Sequence, residues 1–100
     1  VWLGWLLIAT LDRMAPLADA RDPARAARWR AHRQAVATAI EAVAWDGAWY
    51  RRATFDDGTW LGSASSDECR IDSIAQSWAV LSGAADPGRA AQAMESVQTH

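Results

Sequence analysis

Two adjacent carboxylates, Asp67 and Glu68, stand in a polar loop, Gly62 to Arg70, that runs straight into an apolar-striped segment. Arg70, Asp72 and Gln76 follow within one or two helical turns, and Trp60 precedes the loop. Carboxylates, an arginine and an amide can hydrogen-bond sugar hydroxyls, and an indole can stack on a sugar ring. A pair of carboxyls could also serve as general acid and base, but glycosidic pairs stand about 5–9.5 Å apart across a bond. Neighbours in sequence rarely face one ligand together, so ligand lining is the role expected of Asp67 and Glu68, and no residue is assigned a catalytic role. The bland reading of the same acids is an exposed loop near a helix N-terminus, where the dipole favours negative charge.

The remaining residues carry weaker signals. Asp72 or Ser73 is expected as the N-cap of the helix that follows, with Arg70 as a partner for Asp72. Gln76 falls off the Ile71, Ile74, Trp78, Leu81 stripe and could face either a site or another helix. Trp45, Trp49 and Trp60 could make a stacking platform, although core packing is the default for each. Asp46, Asp56 and Asp57 read as turn residues. Cys69 has no histidine near it in sequence and reads as a small buried residue. His32 reads as a surface residue. Two histidines and one cysteine, widely spaced, support no metal site, and there is no glycine-rich phosphate loop.

Those residues need a scaffold, and the pattern gives one. Val1 to about Ala20 is apolar nearly all round, as in a helix inside a larger fold. Asp22-Pro23 starts a second helix, running to about Val43 with Trp29, Val36, Ile40 and Val43 as its stripe. Trp45-Asp46-Gly47 ends it. Ala48 to Phe55 is expected as a short strand, Asp57-Gly58 as a hairpin turn, and Trp60-Leu61 as the return strand. A third helix spans about Ile71 to Leu81, with Gly83 beyond it. Asp86-Pro87 starts a fourth, ending near Thr99. DPARAA at 22–27 and DPGRAA at 86–91 repeat one arrangement: an apolar helix, a link, then an exposed arginine-bearing helix. This is the rhythm of paired inner and outer helices in a solenoid or closed helical toroid.

Composition sets the outer limits. One hundred residues make at most one small domain. A net charge of −2 gives no basis for binding nucleic acid or an anionic membrane. All ten basic residues are arginine, which with the alanine content suggests a GC-rich bacterial gene. The single cysteine leaves no internal disulfide and fits a reducing compartment. The apolar run at Val1 to Ala9 is short of the about 20 residues that span a bilayer. The chain starts within that run, so we expect an internal fragment whose missing neighbours cover the first helix.

The stretches WDGAWYRRATFDDGTWLGS (45–63) and DECRIDSIAQSWAVLSGAADP (67–87) resemble the catalytic domain of glycoside hydrolase family 94. These are cellobiose- and β-glucan-phosphorylase-like proteins, and the likeness is nearest to the region near the C-terminus of cyclic β-1,2-glucan synthases. VWLGW (1–5) and RWRAHR (28–33) extend it over most of the chain. The resemblance implies an (α/α)6 barrel, of which this chain would be a mainly α piece with a short β-hairpin inserted. It implies β-glucan oligosaccharides and inorganic phosphate as substrates, with no other cofactor, and phosphorolysis with inversion. There one aspartic acid protonates the leaving oxygen while phosphate attacks. The family places that acid in a Trp-Asn-Asp stretch, which this sequence lacks, so no catalytic residue is transferred. By the same resemblance Asp67, Glu68, Arg70, Asp72, Gln76 and Trp60 would lie near the glucan subsites at the barrel mouth. The parent is expected on the cytoplasmic side in a bacterium, attached to the inner membrane or not, and the 100 residues alone are not expected to catalyse. A helical-repeat module that binds protein, or another (α/α)6 glycoside hydrolase, are the rival readings; an aromatic hairpin between helix pairs speaks against the first, and the second needs two separated carboxylates.

Overall fold

A computed structural model describes residues 1–100. Four helices are connected by one small sheet: α1 (Trp2–Ala18), α2 (Pro23–Val43), β1 (Ala53–Thr54), β2 (Trp60–Leu61), α3 (Ser73–Ser82) and α4 (Pro87–Thr99). The order of elements is the expected one. α1 packs on α2 and on α3, and α3 packs on α4, giving a flat body of 50 × 30 × 17 Å. No helix is long and apolar enough to cross a membrane.

Both Asp-Pro signals act as read. Asp22 accepts a hydrogen bond from the Arg25 N–H at 3.0 Å, and Asp86 accepts one from Arg89 at 3.0 Å. Each aspartate thereby satisfies an otherwise orphan donor of the first turn, while proline at the helix start has no N–H to lose. α1 and α2 meet closely at Gly4, where an added Cβ would lie 2.7 Å from Ile40 Cδ1. Two arginine–aspartate pairs, Arg30–Asp19 and Arg33–Asp12, tie the outer rims of the same helices. They are largely exposed and contribute little beyond orientation.

The core gathers around Trp5, Ile8 and Tyr50, each with no exposed surface, together with Ala37, Ile40, Ala44, Trp49, Ala79 and Ala93. Tyr50 meets Trp5 edge-on at 5.2 Å and Trp45 at 5.0 Å. Several helix-face expectations fail here. Val43 is exposed, as are Ile74 and Leu81 of the expected α3 stripe. The side of α3 that faces inward carries Ala75, Gln76 and Ala79 instead. Small residues there let the helix approach the 45–50 segment, which the apolar-stripe pattern does not report.

The first strand is also shorter than expected. Only Ala53 and Thr54 pair, with Leu61 and Trp60 respectively. Upstream, Trp45 and Tyr50 form a lone antiparallel bridge, and the Asp46 N–H donates to Trp49 O at 2.9 Å. Residues 45–50 therefore make a closed turn rather than a strand. The hairpin tip is held by Asp57, whose carboxylate accepts from the Thr59 N–H.

Candidate functional site

The loop from Gly62 to Asp72 leaves β2 and enters α3, and both of its ends are fastened to residues 49–52. At the first end, the buried Trp49 indole donates through Nε1 to Gly62 O at 2.9 Å. Gly62 has φ +68, and a Cβ there would come within 3.1 Å of the Arg52 nitrogen, so glycine meets both a backbone and a packing demand. At the second end, Asp72 caps α3 by accepting from the Ile74 N–H at 2.9 Å. Its other oxygen pairs with Arg52 Nε at 3.1 Å. The expected pairing with Arg70 is not formed. Arg70 instead donates through Nε and Nη2 to Ala64 O, at 3.2 and 2.9 Å, and so braces the loop from within.

Asp46 anchors the same loop from below. Its carboxylate accepts from Arg51 Nη2 at 2.6 Å, from the Ser63 hydroxyl at 2.7 Å and from the Ala64 N–H at 2.7 Å. Burial alone would push this carboxyl up. The backbone N–H of Ala64, the Ser63 hydroxyl and the Arg51 guanidinium outweigh it and hold Asp46 below the usual aspartate range. The aspartate read as a turn residue is thus the hub of the loop's base.

Above this base, Asp67 and Glu68 are exposed, and none of the six ion pairs of the chain includes either of them. Their carboxylates are unclaimed by the protein. A cleft of about 260 Å³ is lined by Arg52, Leu61, Gly62, Cys69, Ile71, Asp72 and Ser73, and neither Asp67 nor Glu68 lines it. Trp60 is half-buried at the start of the loop, and the Arg51 guanidinium lies 4.6 Å from its ring centre.

The three tryptophans do not form a joint platform. One face of Trp60 is taken by Arg51. Trp45 lies under Arg89 at 5.0 Å, and Trp49 is buried with its N–H engaged. Gln76 turns inward. It is fully buried, accepting from the Tyr50 N–H at 2.8 Å and donating to Tyr50 O at 2.8 Å and to Asp72 O at 2.9 Å. Of the six residues expected near sugar, Asp67, Glu68 and Arg70 are exposed on the loop. Trp60 and Asp72 flank them, and Gln76 lies beneath. No group of three or more His, Cys, Asp or Glu side chains is placed to hold a metal.

The catalytic domain of the Glycosyl hydrolase 94 superfamily matches residues 1–100. The chain belongs to this family. Its relatives include a cyclic beta-(1,2)-glucan synthase, NdvB, of Rhizobium meliloti (strain 1021), 53% identical over 98 residues. That match covers 97% of this chain and 4% of the relative. A cellobionic acid phosphorylase of Neurospora crassa is 34% identical over 101 residues, and a solabiose phosphorylase of Paenibacillus borealis is 35% identical over 99. Each of these matches covers 97% of this chain and 13% of the relative. The chain therefore spans a small part of the length of the curated relatives it matches. The expected resemblance is borne out.

Within this family 94 segment, three features escaped the sequence reading. Tyr50 looked like one strand residue among several. Asp46 reads as a turn aspartate, and two of its three carboxylate partners lie 17 and 18 residues away. Cys69 is exposed, not buried, and adopts φ +48. That left-handed backbone disfavours a side chain with a Cβ. Cys69→Gly is expected to stabilise the loop by about 0.5–1 kcal/mol, since the strain relieved is larger than the extra chain entropy of glycine. Thermal unfolding of the two forms would show it; a lower melting temperature for the glycine form would refute the strain argument.

Proposed function

We propose that this chain is an internal part of an (α/α)6-barrel domain acting on β-linked glucans by phosphorolysis or glycosyl transfer, with loop 62–72 lining the glucan subsites. The alternation of helix pairs supports the barrel, with α1 and α3 side by side and α2 and α4 at their flanks. The exposed apolar side chains of α1 suit burial by further helices of the parent. One observation carries the site: two free carboxylates, Asp67 and Glu68, project from a loop fastened at both ends in a family 94 chain. Free carboxylates on a rigid base can accept hydrogen bonds from sugar hydroxyls without reorganising, which favours binding. Inorganic phosphate would be the co-substrate, and the proton donor and the phosphate ligands would come from elsewhere in the parent.

On this reading Asp67 and Glu68 bind and orient sugar, and they do not transfer protons. In the full-length protein, Asp67→Asn and Glu68→Gln are expected to raise KM for a β-linked glucan. The rise is roughly tenfold for a lost hydrogen bond to a charged acceptor, with kcat little changed. Steady-state kinetics across glucan concentrations measures both. Unchanged KM in both variants would remove the loop from the subsites.

A further inference from the structure

Gln76 is the one fully buried side-chain amide in the core, and what it holds is a backbone, not a ligand. Its carbonyl oxygen takes the Tyr50 N–H and its amino group takes the Tyr50 carbonyl, both at 2.8 Å. A side-chain amide is the same group as a peptide unit, so Gln76 pairs with Tyr50 as a neighbouring strand would. The third bond, from Gln76 Nε2 to Asp72 O, ties the last residue of the loop to the same point.

The residues next to Tyr50 then fall into fixed positions. Arg51 reaches Asp46 and lies on Trp60. The Arg52 N–H donates to Leu61 O at 2.9 Å, and its side chain pairs with Asp72. Four anchors of loop 62–72, at Gly62, Ser63, Ala64 and Asp72, run to Asp46, Trp49 and Arg52, within residues 46–52. Gln76 locks that segment to α3.

We propose that Gln76 is a positioning residue: by clamping both backbone groups of Tyr50 it sets the base from which Asp67 and Glu68 are presented. The role in binding rests on the glucan-subsite reading above; the mechanical role does not. Gln76 makes no hydrogen bond to the exposed acids and does not line the cleft. Its removal acts on ligand binding only through residues 50–52 and 72.

The test uses the full-length protein with Gln76→Glu, supported by Gln76→Leu. An ionised glutamate still accepts from the Tyr50 N–H but donates to neither Tyr50 O nor Asp72 O; when protonated it regains one donor. Backbone hydrogen exchange, read by mass spectrometry against the native protein at the same pH, is expected to be about tenfold faster over 62–72 in Gln76→Glu at neutral pH. The KM for a β-linked glucan is expected to rise with it, kcat holding within about twofold, and to return toward the native value as the pH is lowered. Unchanged exchange over 62–72 overturns the proposal, as does a KM defect that does not respond to pH. Should Gln76→Leu fail to fold, Gln76→Glu decides alone. Faster loop exchange together with indifference of KM to Asp67→Asn and Glu68→Gln would keep the positioning role and discard the glucan reading.

Discussion

Tyr50→Ala is expected to lower the stability of this segment by about 3–5 kcal/mol, as large-to-small changes of buried aromatics do. Tyr50 has no exposed surface and is wedged edge-on against Trp5 and Trp45. Its hydroxyl donates to Glu41 Oε1 at 2.7 Å. Burial first, and the Glu41 carboxylate second, push the phenol far above its ordinary range, so it remains a donor at any working pH. Glu41 in turn accepts from the Asp86 N–H and from Arg89 Nη1, which joins the end of α2 to the start of α4. Tyr50→Phe isolates the hydroxyl's share, about 1.5–3 kcal/mol for a bond to a charged acceptor, while the ring stays in place. Denaturant unfolding of both variants gives the two numbers. A Tyr50→Ala protein within about 1 kcal/mol of the native one would mean that the aromatic wedge is not the centre of this core.

Asp46→Ala should cost a comparable amount, about 3 kcal/mol, because it strands a half-buried guanidinium. Arg51 Nε is already buried without a partner, and without Asp46 the guanidinium keeps one hydrogen bond, to the Val43 carbonyl, beside its stacking on Trp60. The Ser63 hydroxyl and Ala64 N–H lose their acceptor at the same time. The sign of the pH dependence follows from the depressed carboxyl. A group whose folded pKa lies below its unfolded value stabilises fully above the ordinary aspartate range, about 3.9, and this stability is lost as pH falls through the folded value. The native protein should therefore lose stability on acidification below about pH 4 more steeply than Asp46→Asn does. Parallel acid-unfolding curves for the two would contradict the assignment of Asp46 as the charged anchor.

Much of the architecture could be read from local signals, because local physics sets it. Asp-Pro starts, a glycine after α3 and the Asp57-Gly58 turn each act within a few residues. Helix count, order and the capping roles of Asp22 and Asp86 followed from them, while the α3 cap, open between Asp72 and Ser73, falls to Asp72. The exposed face of the site, Asp67 and Glu68, was legible for the same reason: a polar loop shows in composition. The base of the site was not. Asp46, Gln76 and Tyr50 act across separations of 17 to 26 residues, and a buried amide looks like any surface glutamine until its partner is known. The helix stripes misled where small residues face inward. On α3 the inward side is marked by Ala75 and Ala79, while Leu81 points to solvent. In a piece of a larger domain, apolar side chains and inward direction need not coincide.

The Glu41 junction also imposes an order of assembly. Glu41 and Arg89 are separated by 48 residues, and Tyr50 and Gln76 by 26. During synthesis at about 5–20 residues per second, α1 and α2 emerge together, but Glu41 waits roughly 2–10 s for its arginine. Over that interval the Tyr50 turn has neither its amide clamp nor its fourth helix, and the wall formed by Trp5, Trp45 and Tyr50 stands open to solvent. The Tyr50 turn and Glu41 thus gain their long-range partners only once residues 76 to 89 have followed.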